Sequence, residues 1–171
     1  MNEAEVLQKK IKNGFIVEGL EDMNEEYLKA LKQTLLIVGD TELLSAPPLL
    51  SAYHDAPNLN YKITALAVIQ DEIGHAHIAY RLLQNLGEEV DDLLYSRPAH
   101  RWKNPYAFDF KLNNWYEFGV FNGLFDRAGY TLLGDAFHNT SFGPWKRALV
   151  KVDKEESVSY THLTLPTMAV V

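Results

Sequence analysis

Residues Val68–Tyr80 read VIQDEIGHAHIAY, and the pair Glu72 and His75 within them decides how the chain is read. Side chains three apart on a helix share a face, so this carboxylate and this imidazole can reach a single ion together. A lone Glu-x-x-His arises often by chance, and taken alone it is better explained by a histidine satisfied in a core or at a surface. What matters is whether other helices carry matching acids at the same level.

They do. A di-iron carboxylate four-helix bundle takes one carboxylate from each of two helices and a Glu-x-x-His from each of the other two. Glu42 lies 30 residues before Glu72, and Asp126 lies 30 residues before Glu156. Equal spacing is what two helical hairpins of similar size produce, each returning its second ligand to the level of its first. The flanking segments TELL (41–44) and GLFDRAGY (123–130) are largely apolar, and a buried carboxylate without a partner is costly enough to want a cation. The expected metal ligands are therefore Glu42, Glu72, His75, Asp126 and Glu156. The second Glu-x-x-His would end at position 159, where the chain has Ser159.

Helical periodicity agrees with this order. Leu28, Leu31, Leu35, Val38 and Leu43 recur at helical spacing and predict a helix over about 24–44, stopped by SAPPLL because proline removes a donor and clashes with the preceding turn. A second helix is expected over about 61–86, with Gly87 as its cap, followed by a short acidic helix, EEVDDLLY, and a loop, SRPAHRWKNP. A third spans about 112–137, and NTSFGP introduces a fourth, WKRALVKVDKEES, with Pro144 in its first turn. Strand signals are weak throughout, so the expected fold class is all-α.

Composition narrows the alternatives. The absence of cysteine excludes disulfides and thiolate metal sites and leaves His, Asp and Glu as the strong ligands. A formal net charge of −7 argues against nucleic acid as a partner. No uninterrupted apolar run reaches the roughly 18 residues of a membrane span, and the charged start, MNEAEVLQKKIKNG, lacks the apolar core of a signal peptide, so a cytoplasmic location is expected.

Other residues compete for the same roles. Asp135 and His138 repeat the spacing, but at the end of the third helix, where His138 is expected to cap the helix or face solvent. Glu117 is the second choice to Asp126. Asp71 and Glu155 precede proposed ligands and are either solvated or placed to orient a ligating histidine across the bundle. Asp40 and His77 are expected to point away from the site. Arg97, Arg101 and Lys103 concentrate positive charge in one loop and are candidates for a phosphate-bearing substrate, although a solvated loop explains them as well. Aromatic residues recur along the third helix and read as core and subunit interface rather than a ring-binding box, with Phe125, beside Asp126, as the candidate pocket wall.

From Val158 onward the chain reads VSYTHLTLPTMAVV, without a charge, directly after the mostly charged KVDKEES. Its first ten residues are similar to the in-frame translation of a transposon-end sequencing adapter. The expected organisation is a truncated helical bundle over 1–157 and a non-native tail over 158–171, the helix ending near Ser157.

QDEIGHAHIAYRLLQNLG and TSFGPWKRALVKVDKEES resemble the catalytic subunit of the phenylacetyl-CoA epoxidase family, among the ferritin-like phenylacetate-catabolism proteins, over about residues 24–157. The family's forms run close to QDE-x-GH and TS-x-GP…KEESFH. The resemblance implies a ferritin-like four-helix bundle whose ligands fall on Glu42, Glu72, His75, Asp126 and Glu156, with Glu72 and Asp126 as catalytic carboxylates. The last histidine of the family motif would fall on Ser159. It further implies two iron ions, electrons from NAD(P)H through a separate reductase, and a structural partner subunit in a hetero-oligomer. One oxygen atom of O₂ would enter the aromatic ring of an acyl-CoA to give an epoxide. Val68 stands where phenylacetyl-CoA members carry lysine, which leaves open a different acyl group. The alternatives in this superfamily are a metal-binding or storage bundle and a non-catalytic scaffold subunit.

Overall fold

The computed structural model describes the backbone of residues 2–167 and the side chains of residues 2–157. Its helices are α1 (Glu3–Lys12), α2 (Glu25–Ala52), α3 (Leu59–Asn85), α4 (Trp115–Asn139) and α5 (Gly143–Thr167). Among the described residues there is no strand beyond a single bridge between Val17 and Phe142. The all-α expectation therefore holds.

Local chemistry explains where the helices begin and end. Asn2, Asn24, Asn58 and Asn114 each accept a hydrogen bond from the backbone N–H three residues on, which satisfies a donor that the first turn leaves unpaired. At Asn2 this is a full capping box with Glu5, and α1 is a helix that periodicity alone did not reveal. Gly87 adopts a φ of 87°, in the left-handed region, after α3. The Glu88 N–H then reaches the Leu83 carbonyl and the Gly87 N–H reaches that of Gln84, the bonds of a Schellman cap.

Three local expectations are corrected. First, α2 does not stop at SAPPLL but continues through Pro47 and Pro48. The carbonyls of Leu43 and Leu44 lose their helical donors there, at a penalty of roughly 3 kcal/mol for an interior proline. Burial of Ala46, Leu49 and Ala52 against the bundle outweighs it. Ser51 Oγ also donates to the Pro48 carbonyl, at 2.6 Å, within the last turn. Second, the expected short acidic helix is present, but its turn over Asp92–Ser96 is π-helical. Third, α5 runs on to Thr167 instead of ending near Ser157.

The helices pack as two hairpins, α2 with α3 and α4 with α5, joined where α3 meets α5 and α2 meets α4. At Gly39 α2 and α3 approach closely, since a Cβ there would lie 3.3 Å from Ala79 and from the Tyr80 ring. With the turn that follows it, α2 is long and apolar enough to cross a membrane by length and composition, but half of that window is buried inside the bundle.

The core is divided along its length. One apolar cluster holds Leu31, Leu35, Ala76, Leu83, Leu149 and Val152. The other holds Leu49, Ala65, Val68, Ile69, Phe118 and Phe121. On each long helix the residues between the two clusters, or at the edge of one, are polar: Glu42 on α2, Glu72 and His75 on α3, Asp126 on α4, Glu156 on α5. The equal 30-residue spacing thus becomes a polar layer between two apolar ones.

Candidate metal centre

Each polar residue of that layer is held by the helix that carries it. Glu42, His75, Asp126 and Glu156 are buried, with relative exposures of 8%, 4%, 5% and 4%. Glu42, His75 and Glu156 bring one ligand atom each to within 4.8 Å of one another, close enough to share an ion. Glu42, Glu72, Asp126 and Glu156 line one cavity of about 230 Å³, with Leu49, Phe121 and Phe125 among its apolar walls.

The His75 ring is oriented. Its Nε2 lies 3.2 Å from Glu155 Oε2, and Lys151 pairs with the other oxygen of Glu155 at 3.0 Å. With Nε2 donating to Glu155, Nδ1 is the nitrogen left to a metal ion once its own proton is displaced. Nδ1 points among the carboxylates, 3.2 Å from Glu156 and 3.5 Å from Glu42, yet is aligned with neither for a hydrogen bond. A ligating histidine that gives its second N–H to a carboxylate has this arrangement. The orphaned Nδ1 and the ring of acids around it therefore fit a metal ion.

Charge makes the same point. Burial, then the neighbouring charges of Glu42 and Glu156, push the Glu72 carboxyl well above its usual range. Burial and the same two acids raise Asp126 to about 8. Burial also raises Glu156, against the pull of His75. Burial alone would lower His75, but the nearby carboxylates of Glu156 and Glu42 raise it to about 11. Protons here do what a cation would do, offsetting like charges confined in a low dielectric.

Two residues that sequence reading passed over hold the acids in place. Ser45 Oγ lies 2.7 Å from Glu72 Oε2 and 2.7 Å from the Glu42 carbonyl, linking α2 to α3 inside the site. Asn122 Nδ2 donates to Asp126 Oδ2 at 2.7 Å. The available signal was spacing: Ser45 is three residues after Glu42, and Asn122 four before Asp126.

The profile of the family described as phenylacetic acid catabolic protein matches residues 1–164. The chain belongs to the phenylacetic acid catabolic protein family. It is also similar to one of the subunits of 1,2-phenylacetyl-CoA epoxidase from Escherichia coli (strain K12), at 30% identity over 157 residues, 92% of this chain. It spans 50% of that relative's length.

The remaining candidates fall as follows. The Arg97 guanidinium is engaged by Asp40 through two bonds of 2.8 and 2.6 Å. The side chains of Arg101 and Lys103 are exposed and do not line the cavity. Phe125 does line it, packed on Phe108 and Phe121 with ring centroids 4.8 and 4.6 Å away. Glu117 caps the start of α4, where the Asn113 N–H donates to it at 2.7 Å, far from the cavity. Asp40 faces Tyr80 and Arg97, and His77 and His138 are exposed. Val68 is buried in an apolar cluster. Ser159 and the proposed tail, 158–171, lie outside the residues whose side chains are described.

Proposed function

We propose that this chain belongs to a catalytic subunit of a bacterial multicomponent di-iron monooxygenase. It inserts one oxygen atom of O₂ into the aromatic ring of a phenylacetyl-CoA-like thioester to give a ring epoxide. The observation that carries the reading is the convergence of Glu42, Glu72, His75, Asp126 and Glu156 on one buried level, in a family whose Escherichia coli relative is named an epoxidase. Carboxylate and imidazole donors without thiolate suit iron. Two irons held there would supply the redox chemistry that activates O₂, with electrons from NAD(P)H delivered by a separate reductase.

The chain's own residues do the positioning. Glu155 fixes the His75 ring, Ser45 holds the Glu72 carboxyl, and Asn122 holds that of Asp126. Leu49, Phe121 and Phe125 give the cavity walls that exclude water and accept a flat apolar ring. Arg101 and Lys103, exposed on the loop beyond Arg97, are the cations left to meet the phosphates of CoA. The relative's designation as one subunit of an enzyme supports a hetero-oligomer with a structural partner, and a cytoplasmic location accords with a CoA thioester as substrate.

The reading of residues 158–171 as foreign, with a native histidine at position 159 completing the second Glu-x-x-His, is part of this proposal. Sequencing the locus across the codon for Val158 tests it. The direct test of function is iron content after anaerobic reconstitution of a version carrying the native sequence through position 159. Two irons per chain are expected, falling in Glu72→Ala and His75→Ala. A version that stays folded and binds no iron refutes the reading.

A further inference from the structure

Asp40 is fully buried, and its carboxylate takes four hydrogen bonds. One comes from the Tyr80 hydroxyl at 2.6 Å, within the bundle. The other three come from the segment 97–105: two from the Arg97 guanidinium and one, at 2.9 Å, from the Lys103 N–H. Arg97 is itself immobilised. Its Nε donates to the Leu93 carbonyl at 2.7 Å, and its guanidinium stacks 4.2 Å from the centroid of the Trp102 ring. Thr41 Oγ1 adds a bond to the Lys103 carbonyl. The segment ends at Pro105, which lines the carboxylate cavity together with Thr41.

A bidentate pair between arginine and a buried carboxylate has a defined geometry, unlike a solvated surface contact. It lies two residues before Glu42 on α2, and the segment it holds supplies part of the wall around the acids. We propose that Arg97 is a positioning residue of the carboxylate site: clamped on Asp40, it holds residues 97–105 as a strap beside the cavity, so that Pro105 walls it and access to the acids is restricted. The strap itself does not depend on the metal reading, whereas the access readout rests on it.

Two measurements on the full chain separate these parts. Trypsin cuts after Arg101 and Lys103 but not at Arg97, which precedes proline. Cleavage in the strap is normalised to cleavage at Lys29 within α2, which reports global opening. Arg97→Met is expected to raise the normalised rate about tenfold, Arg97→Lys to give an intermediate rise, and Thr41→Val, a milder loss of one tether, about twofold. An unchanged normalised rate in all three overturns the strap. The second measurement is the rate of Co²⁺ uptake by the metal-free protein. Uptake about fivefold faster in Arg97→Lys with unchanged stoichiometry supports restricted access, because a merely structural loss would lower stoichiometry instead. Equal uptake rates overturn it. Failure of Co²⁺ to bind the unsubstituted chain, with strap cleavage still accelerated, counts against the metal reading and its access clause and leaves the strap standing.

Discussion

Asp126→Asn separates the electrostatics of the carboxylate layer from its packing. Asp126 titrates near 8 in the folded, metal-free chain, against a usual value of 3.8. Between those two values the folded state holds a proton that the unfolded state has released, so stability falls as pH rises. The slope from this one group is about 1.4 kcal/mol per pH unit, or roughly 3 kcal/mol between pH 5 and 7. By pH 7.5 the accumulated destabilisation is about 5 kcal/mol, reduced by whatever water enters the cavity. Asparagine is close in size, keeps an acceptor for Asn122 Nδ2 and does not titrate. The assay is urea denaturation of chelator-treated protein at pH 5, 6, 7 and 8. Asp126→Asn is expected to lose at least 1.5 kcal/mol less than the unsubstituted chain between pH 5 and 7, about half the full effect. His75 contributes in the same direction in both proteins. Its raised value of about 11 gives stability that is full below about 6.5 and lost as pH rises through 11. The difference between the two curves therefore reports Asp126 together with the effect of its charge on Glu72. Parallel curves would refute the claim that burial and the charges of Glu156 and Glu42 hold this carboxyl protonated.

Other substitutions probe the supports around the site. Glu155→Gln keeps the shape but weakens the partner of His75 Nε2, and should reduce metal affinity about 10- to 100-fold by titration calorimetry, with Glu155→Asp partly restoring it. Pro47→Ala, at an exposed position inside α2, should return a helical hydrogen bond to the Leu43 carbonyl and raise stability by about 1–2 kcal/mol in urea denaturation. Gly39→Leu should force α2 from α3 at Ala79 and Tyr80, costing about 1–3 kcal/mol or more and lowering the melting temperature.

Much of the site was legible in one dimension. A helix of 3.6 residues per turn brings positions 72 and 75 to one face in any context, and equal hairpins bring 42 and 126 to the levels of 72 and 156. The asparagine caps and Gly87 likewise act over three to five residues, so their meaning is local. Zero cysteine restricted the donors to oxygen and imidazole before any coordinate was known.

What remained depended on which side chains meet across the bundle. Pro47 and Pro48 look like a stop because local sterics penalise them, yet the burial of Leu49 and its neighbours carries α2 through. Arg97 looks like a free cation in a loop, but Asp40, 57 residues away in sequence, claims it. The orientation of the His75 ring was equally open until Glu155 on α5 met its Nε2 across 80 residues of chain. Periodicity determines which face a side chain occupies. Only packing determines what stands opposite that face, and in a low-dielectric interior the opposing group decides whether a charge is a ligand, a latch or a buried acid holding its proton.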